Sequence, residues 1–523
     1  MSIDFTLSPV DDKKKEDKEM SRSKNNKVKN GNGLETRAGL GAELWKAADI
    51  LRGAVSPDKY DVYVLPLLFY KRLSDVYLDE YEKALAEFKD EEIAKSEMFH
   101  RVVMPEGCLW EDLRKVSVDV GGKLNSILAE IAQANPVLDR VINRTDFNDS
   151  TQIPEERLLR LIELFSRHNL SNGNVSPDML GDAYEYLLKK FNEVAPTRAG
   201  EFYTPREVIQ VLIGCLVPDE GMSVYDPCVG SGGMLIEASR FVEDHGGDPR
   251  QLFLFGQELN DDTAAMAKMN MFLHSLEAEI VQGDTFVNPK FLTESGELRP
   301  FDLVLANPMW NQKGFKEYQE DDQFGRFKYG VTTNSSADWG WIQHMLASLY
   351  EDKGRMGIVL DQGALFRGGA EGKIRKAVLR EDLIECVVAL PEKLFYNTGA
   401  PGCLIFLNTA KPEERKGKVL FIYAAEEYDK LSNMNQLQSE HIQRIVETYH
   451  DYVDSDKYSR VVALSEVKEN DYNLSVTRYV DIFDPPEPID IQQVWNNLKT
   501  LEKQRKETTA KLETYLKELG YEN

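Results

Sequence analysis

Cysteine is scarce in this chain. The five (Cys108, Cys215, Cys228, Cys386, Cys403) among 523 residues form no close pairs and no metal-type spacing, which argues against a disulfide framework and against the usual zinc patterns. Such usage fits a reducing cytoplasm. Long hydrophobic runs are missing too. Hydrophobic residues make up 42%, mean hydropathy is -0.43, and no stretch approaches the ~18 to 20 consecutive apolar residues of a membrane span. Asp11, Asp12, Lys13, Lys14, Lys15 and Glu16 stand where a secretory signal would need an apolar core, so secretion is not expected. Positive charge is also short, with 63 Lys and Arg against 88 Asp and Glu and a formal net charge of -25. Non-specific nucleic-acid affinity comes chiefly from Lys and Arg releasing phosphate counterions, so the composition argues against a stand-alone DNA binder. If DNA is the substrate, a partner or a local basic strip must hold it.

The length allows roughly two to four domains. Residues 1–38 have the lysine-, asparagine- and glycine-rich composition of a flexible tail. From Gly41 the pattern turns helical: Leu44, Ala47, Ala48 and Leu51 share one face, and further helical stretches are expected over 63–78, 80–98, 109–114, 122–131 and 155–165. Strand signals are scarce there, which predicts a helical domain over 39–170. A helix over 179–191 follows, then the segment Glu201-Phe202-Tyr203-Thr204-Pro205-Arg206-Glu207, where Thr204 is placed to cap a helix opened by Pro205, with Glu207 at capping-box spacing.

After Gly221 strands alternate with helices. Strands are expected at 223–225, 252–255, 279–281, 301–306, 356–360, 383–390 and 403–407. The first five have connections long enough for crossovers, so they predict a parallel, doubly wound α/β sheet. The last two predict a hairpin and one antiparallel strand. The run Val419 to Tyr423 either extends the sheet or begins another element. Residues 171–484 thus read as one α/β domain, closed by Pro485-Pro486-Glu487-Pro488. Residues 485–523 read as a helical tail in which Val494, Leu498, Leu501, Leu512, Tyr515, Leu516 and Leu519 form an apolar stripe that needs a partner surface.

Chemistry-bearing residues collect at the strand ends. The stretch Phe301 to Ala306 reads as a buried strand that stops at Asn307-Pro308-Met309-Trp310, because a proline cannot donate to the ladder. Ligands in open parallel sheets bind at that carboxyl edge. The first strand runs into Asp226-Pro227-Cys228-Val229-Gly230-Ser231-Gly232-Gly233, a glycine-rich turn opening a helix whose N-terminus offers free N–H groups. The spacing is not that of a dinucleotide fingerprint, and no Walker lysine follows. Asp226 suits an ammonium better than a phosphate. Glu258, in Gly256-Gln257-Glu258-Leu259-Asn260, ends the second strand and can accept from ribose hydroxyls, and Asp284 ends the third. Four consecutive strands ending in Asp226, Glu258, Asp284 and Asn307 predict one continuous site.

In this order the motifs resemble those of adenine-N6 DNA methyltransferases that use S-adenosylmethionine. More narrowly, Leu365-Phe366-Arg367-Gly368-Gly369-Ala370-Glu371 and Leu394-Phe395-Tyr396-Asn397-Thr398-Gly399-Ala400-Pro401 resemble the modification subunit, HsdM, of type I restriction-modification systems. The resemblance covers Gly41 to the C-terminus. It implies a seven-stranded, Rossmann-like methyltransferase sheet, with Glu201, Phe202, Tyr203, Thr204, Pro205, Arg206, Gly230, Ser231, Gly232 and Gly233 around the methionine part of the cofactor. Asp226 would face its amino group, Glu258 its ribose hydroxyls and Asp284 its adenine amino group. Asn307 and the Pro308 carbonyl would meet a flipped target adenine, with Trp310 stacked on it and no metal required. It further implies DNA, a specificity subunit (HsdS) and a restriction nuclease subunit (HsdR) as partners, with two copies of this chain per specificity subunit. The chain departs from the family pattern at Met309, where a second proline is usual, and a free φ there loosens the turn that aims both acceptors. Rival acceptors are amino-cytosine, disfavoured by Asn rather than Ser before the proline, and protein glutamine, whose methyltransferases are much smaller. An inactive cofactor-binding assembly subunit is a third alternative, opposed by the presence of Asp226, Glu258, Asn307 and Trp310.

Overall fold

The computed structural model describes residues 37–194, 204–395, 398–431, 434–483 and 490–521. The chain forms two compact units, residues 1–480 and 481–523. Glu201, Phe202, Tyr203, Tyr396, Asn397, the proline break at 485–488 and nearly all of the N-terminal tail lie outside the described residues.

The first half is helical because its apolar residues recur at helical spacing. Helix α1 (Arg37–Leu51) buries Leu40, Leu44, Ala47, Ala48 and Leu51 completely. Helix α2 (Tyr60–Phe88) runs for 29 residues with Pro66 inside it. A proline there cannot donate to the carbonyl four residues back, and the Val62 carbonyl instead accepts the Thr145 hydroxyl at 2.8 Å. The helix expected over 80–98 is broken, because Lys89 takes a left-handed cap (φ 55) and Asp90 caps a new short helix by accepting from the Glu92 and Ile93 N–H groups. Helices α3 (Val120–Ala134), α4 (Glu155–Ser166) and α5 (Pro177–Val194) complete this half. Its core is continuous with the sheet layer, since Met269 and Leu273 of a sheet-covering helix share one cluster with Leu40, Leu180 and Leu187.

After α6 (Arg206–Leu216) the chain alternates: β1 (Ser223–Asp226), α7 (Gly233–Asp244), β2 (Phe253–Glu258), α8 (Asp261–Leu273), β3 (Ala278–Gln282), β4 (Leu303–Ala306), α9 (Asp338–Ala347), β5 (Arg355–Asp361), α10 (Gly369–Arg380), β6 (Ile384–Ala389), β7 (Gly402–Asn408), β8 (Lys418–Tyr423), α11 (Ser439–Asp451) and β9 (Ser459–Ala463). The sheet has nine strands in the order β9-β8-β6-β7-β5-β4-β1-β2-β3. The seven expected strands form its contiguous body. The count of seven is corrected to nine because β8 pairs parallel with β6, and β9, a five-residue edge strand, pairs antiparallel with β8. The first five strands are all parallel, and β7 runs antiparallel to both β5 and β6. From β1 the chain goes to β2 and β3 on one side, then crosses to β4 on the other. The crevice between β1 and β4 is therefore the topological switch point, where open α/β sheets bind ligands. At the opposite, amino edge of the same two strands, Asp302 accepts from the Ser223 N–H at 2.9 Å and its hydroxyl at 2.7 Å, which locks the start of β4 to that of β1.

In the second unit, α12 (Ile491–Glu518) is a 28-residue helix capped by Asp490, whose carboxylate accepts from the Gln493 N–H. Its apolar stripe is exposed throughout, from Leu516 at 39% to Leu519 at 71%. Among the described residues no helix is long and apolar enough to cross a membrane.

Candidate active site

The four residues predicted to end adjacent strands do lie along one edge, since β4, β1, β2 and β3 are neighbours in that order. Between β1 and β4 opens a cleft lined by Thr204, Ile209, Asp226, Cys228, Val229, Gly230, Ser231, Gly233, Met234 and Asn307. The turn after β1 bends sharply because Gly230 (φ 52) and Gly232 (φ 86) adopt left-handed conformations. Gly232 is required twice over, as a Cβ there would stand 2.3 Å from the Met271 methyl.

Asp226 is 2% exposed. One carboxylate oxygen accepts from the Cys228 N–H at 3.0 Å. Burial pushes the carboxyl up to about 7; the Cys228 N–H works against the shift and the negative charge of Glu258 adds to it. Glu258 closes the far side of the turn, accepting from the Gly230 N–H at 3.0 Å and the Asn260 N–H at 2.9 Å. Asp284 stands one strand farther out, beyond the cleft lining, and accepts from the Phe286 and Val287 N–H groups. The next residue ties that strand end to the turn: the Thr285 hydroxyl donates to the Pro227 carbonyl at 2.6 Å.

On the β4 side, the Asn307 amide nitrogen donates to the Thr204 hydroxyl at 2.8 Å, which fixes the amide orientation, and the Asn307 oxygen accepts from the Trp310 indole N–H at 3.2 Å. That N–H is shared with the Val359 carbonyl of β5, also at 3.2 Å. The Trp310 ring meets Phe395 edge-on, with centroids 4.8 Å apart at 72°. Pro308 is buried, whereas Met309 is 38% exposed.

The segment before α6 differs from expectation. Thr204 does not cap the helix: α6 starts after Pro205 with no side-chain cap. The hydroxyl is engaged by Asn307 instead, and Glu207 accepts from the Gln436 amide at 2.6 Å. Arg206 turns away from the cleft, its guanidinium 3.1 Å from Glu237 on α7 and 3.8 Å from Asp182 on α5. It braces the helical half against the sheet layer.

The profile of N-6 DNA methylases matches residues 175–487, and that of the HsdM N-terminal domain matches residues 40–165. The chain belongs to the N-6 DNA methylase family. The type I restriction enzyme MjaVIII methylase subunit of Methanocaldococcus jannaschii is 39% identical over 500 residues, spanning 91% of this chain and 84% of that relative. The type I restriction enzyme HindI methylase subunit of Haemophilus influenzae is 32% identical over 457 residues, spanning 80% of this chain and 100% of that one. The crystal structure of the type I restriction-modification methyltransferase subunit from Streptococcus thermophilus superposes with a TM-score of 0.76 at 31% identity, covering 86% of this chain and 100% of the other. The chain is thus a DNA methyltransferase subunit of the adenine-N6 type, of the kind found in type I restriction-modification systems.

In this N-6 DNA methylase, residues that the sequence motifs did not supply also hold the cleft in shape. Asn270 of α8, fully buried, donates to the Ser231 carbonyl at 2.9 Å and steadies the glycine-rich turn. The only signal for it in the sequence is one amide in the run Met269-Asn270-Met271-Phe272-Leu273. Asp338 accepts from the Asn311 N–H at 2.9 Å, just past Trp310. Nothing local marks Asp338 as part of the site, because the contact spans 27 residues. Among the described residues no group of His, Cys, Asp and Glu is arranged to hold a metal ion.

Proposed function

We propose that this chain transfers a methyl group from S-adenosylmethionine to the N6 amino group of a flipped adenine in DNA, with the cofactor at the end of β1 and the base at the end of β4. The observation that carries the reading is the adjacency of a buried acid, Asp226, and an oriented amide, Asn307, across one cleft. The residues present fit the cofactor. Asp226 is an acid with a short reach into the cleft, suited to an ammonium. The Gly230-Ser231-Gly232 backbone leaves room for close approach, and Glu258, beside the turn, has the acceptors that ribose hydroxyls need. Asp284 would meet the cofactor's adenine amino group. Ser231, Gly233, Thr204 and Pro205 would surround the methionine portion, together with Glu201, Phe202 and Tyr203. Arg206 would act there only indirectly, through its pairing with Glu237.

When bound, the cofactor supplies an electrophilic methyl on a sulfonium. The protein's task is to make a poor nucleophile attack it. Adenine's amino lone pair is delocalised into the ring, and two acceptors, the Asn307 side-chain oxygen and the Pro308 carbonyl, draw its N–H groups toward tetrahedral geometry. Thr204 holds the Asn307 amide so that its oxygen, not its nitrogen, faces the base, and Trp310 offers a face for stacking. Positioning supplies much of the rate enhancement.

We further propose that residues 39–170 and 171–484 act as helical and catalytic domains, behind a flexible tail at 1–38, and that 485–523 docks a partner. The expected assembly is two copies of the chain on one specificity subunit (HsdS), joined by a nuclease subunit (HsdR). A DNA substrate and five free cysteines fit a cytoplasmic setting. The test is Asn307→Ala in the native complex. Methyl transfer should fall by ~10²-fold or more, while S-adenosylmethionine affinity measured by calorimetry is retained. Near-normal turnover would overturn the catalytic assignment.

A further inference from the structure

The segment Leu365 to Glu371 follows β5, the sheet neighbour of β4, and has no part in the chemistry above. Its Arg367 reaches three carboxylates. The guanidinium pairs with Glu371 at 2.7 Å, with Asp361 at 3.1 Å and with Asp338. Asp338 is wholly buried and Glu371 is 3% exposed. Burial pushes the Asp338 carboxyl up to about 6 against the pull of Arg367. Burial opposes the guanidinium's charge, but the hydrogen bond it donates to Glu371 and the charges of all three acids outweigh that and hold it firmly protonated. An acid cluster of this kind without its cation would leave buried negative charge uncompensated.

Two of these acids converge on a single residue. Asn311 donates its backbone N–H to Asp338 at 2.9 Å and its side-chain amide to Asp361. It sits at φ 55, in the left-handed region, which Asn tolerates better than most residues. Between Asn307 and Asn311 only Pro308 has its φ fixed by a ring, and Trp310 is anchored through its side chain. The near end of the turn is held by Thr204 and the indole N–H. The far end is held at Asn311 by carboxylates that depend on Arg367, with the next residue, Gln312, accepting from the Trp341 indole N–H at 3.1 Å.

We infer that Arg367 is a positioning residue for methyl transfer, clamping Asn311 through Asp338 and Asp361 so that the turn aims the Asn307 and Pro308 oxygens. The inference rests on the assignment of those two oxygens to the target amino group. A clamp of this kind acts on the chemical step, because a small misplacement of a reacting group costs far more in rate than in binding.

The test uses the full chain in its native complex, with labelled S-adenosylmethionine and unmethylated genomic DNA as probes. Arg367→Gln removes the charge and with it all three ion pairs. Asn311→Gly keeps the left-handed backbone and the buried cluster, and removes only the bond to Asp361. Arg367→Gln should lower kcat by about tenfold or more and Asn311→Gly by roughly three- to tenfold, with KM for S-adenosylmethionine and the melting temperature of Asn311→Gly nearly unchanged. The inference is overturned if Asn311→Gly and a folded Arg367→Gln both turn over at the parental rate. It is equally overturned if kcat, cofactor affinity and melting temperature fall together in Asn311→Gly, since that is the mark of a general structural role. Asn307→Ala run in parallel separates the two assignments. If it is active, the oxygen assignment fails, and if it is dead while the other two variants are normal, the clamp alone fails.

Discussion

Asp226 carries a titration that reports on its proposed partner. Its carboxyl, raised to about 7 by burial and by Glu258, is about half protonated near neutrality in the free protein and largely protonated by pH ~6. An ammonium favours the ionised form, so binding must expel the proton wherever the free carboxyl holds it. S-adenosylmethionine affinity should therefore fall as pH drops below about 7, at up to tenfold per pH unit, and be nearly flat above it. Calorimetry in buffers of different ionisation enthalpy should show proton release on binding at pH ~6. Asp226→Asn should bind weakly and without that pH dependence. A flat profile for the parent chain would remove Asp226 from the ammonium site. Thr204 shows the limits of reading one residue at a time. Its neighbours Pro205 and Glu207 fit a helix cap, yet its hydroxyl is engaged by an amide 103 positions away. No local spacing carries that information.

Among the elements, the glycine-rich turn tests how conformation and space combine. Gly230 and Gly232 both need positive φ, which costs a residue with a Cβ about 1 to 2 kcal/mol. Only Gly232 also abuts the Met271 methyl, for a Cβ at Gly230 would meet open space. Gly232→Ala should thus lower the melting temperature and cofactor affinity more than Gly230→Ala does. The reverse order would contradict the packing of α8 beneath the turn. Legibility followed apolar content. The buried strands β4, β5, β6 and β7 were readable from their runs of Val, Ile, Leu and Phe. Strand β2 runs on to Glu258, past its apolar stretch, because the buried Gln257 amide is satisfied by the Asn288 carbonyl and the Lys290 N–H. Strand β9 (Ser459-Arg460-Val461-Val462-Ala463) escaped notice because an edge strand is short and keeps charge on its open side. The strand ends that bear Asp226, Glu258, Asp284 and Asn307 were legible from motif order, whereas the Arg367 clamp joins α9, β5 and α10 and exists only in three dimensions.

For the whole molecule, a charge of -25 and an exposed stripe on α12 point the same way. The acidic chain holds phosphate poorly by itself, and an apolar helix face commonly buries itself against partner helices. Removing residues 490–523 should abolish co-elution with the specificity subunit in size-exclusion chromatography while leaving S-adenosylmethionine binding nearly intact. Normal assembly of the truncated chain would refute the docking role. The switch point between β1 and β4 carries one more consequence. Strands in a sheet lie about 4.8 Å apart and cannot slide independently, so a methyl donor at one strand end and an acceptor at the next are held at a spacing set by the backbone ladder itself. With donor and acceptor placed as we propose, the moving part of the reaction is the nucleotide leaving its duplex. In that placement weaker base pairing around the target should raise the frequency of methyl transfer, because the opening of DNA is the step the fixed ladder cannot supply.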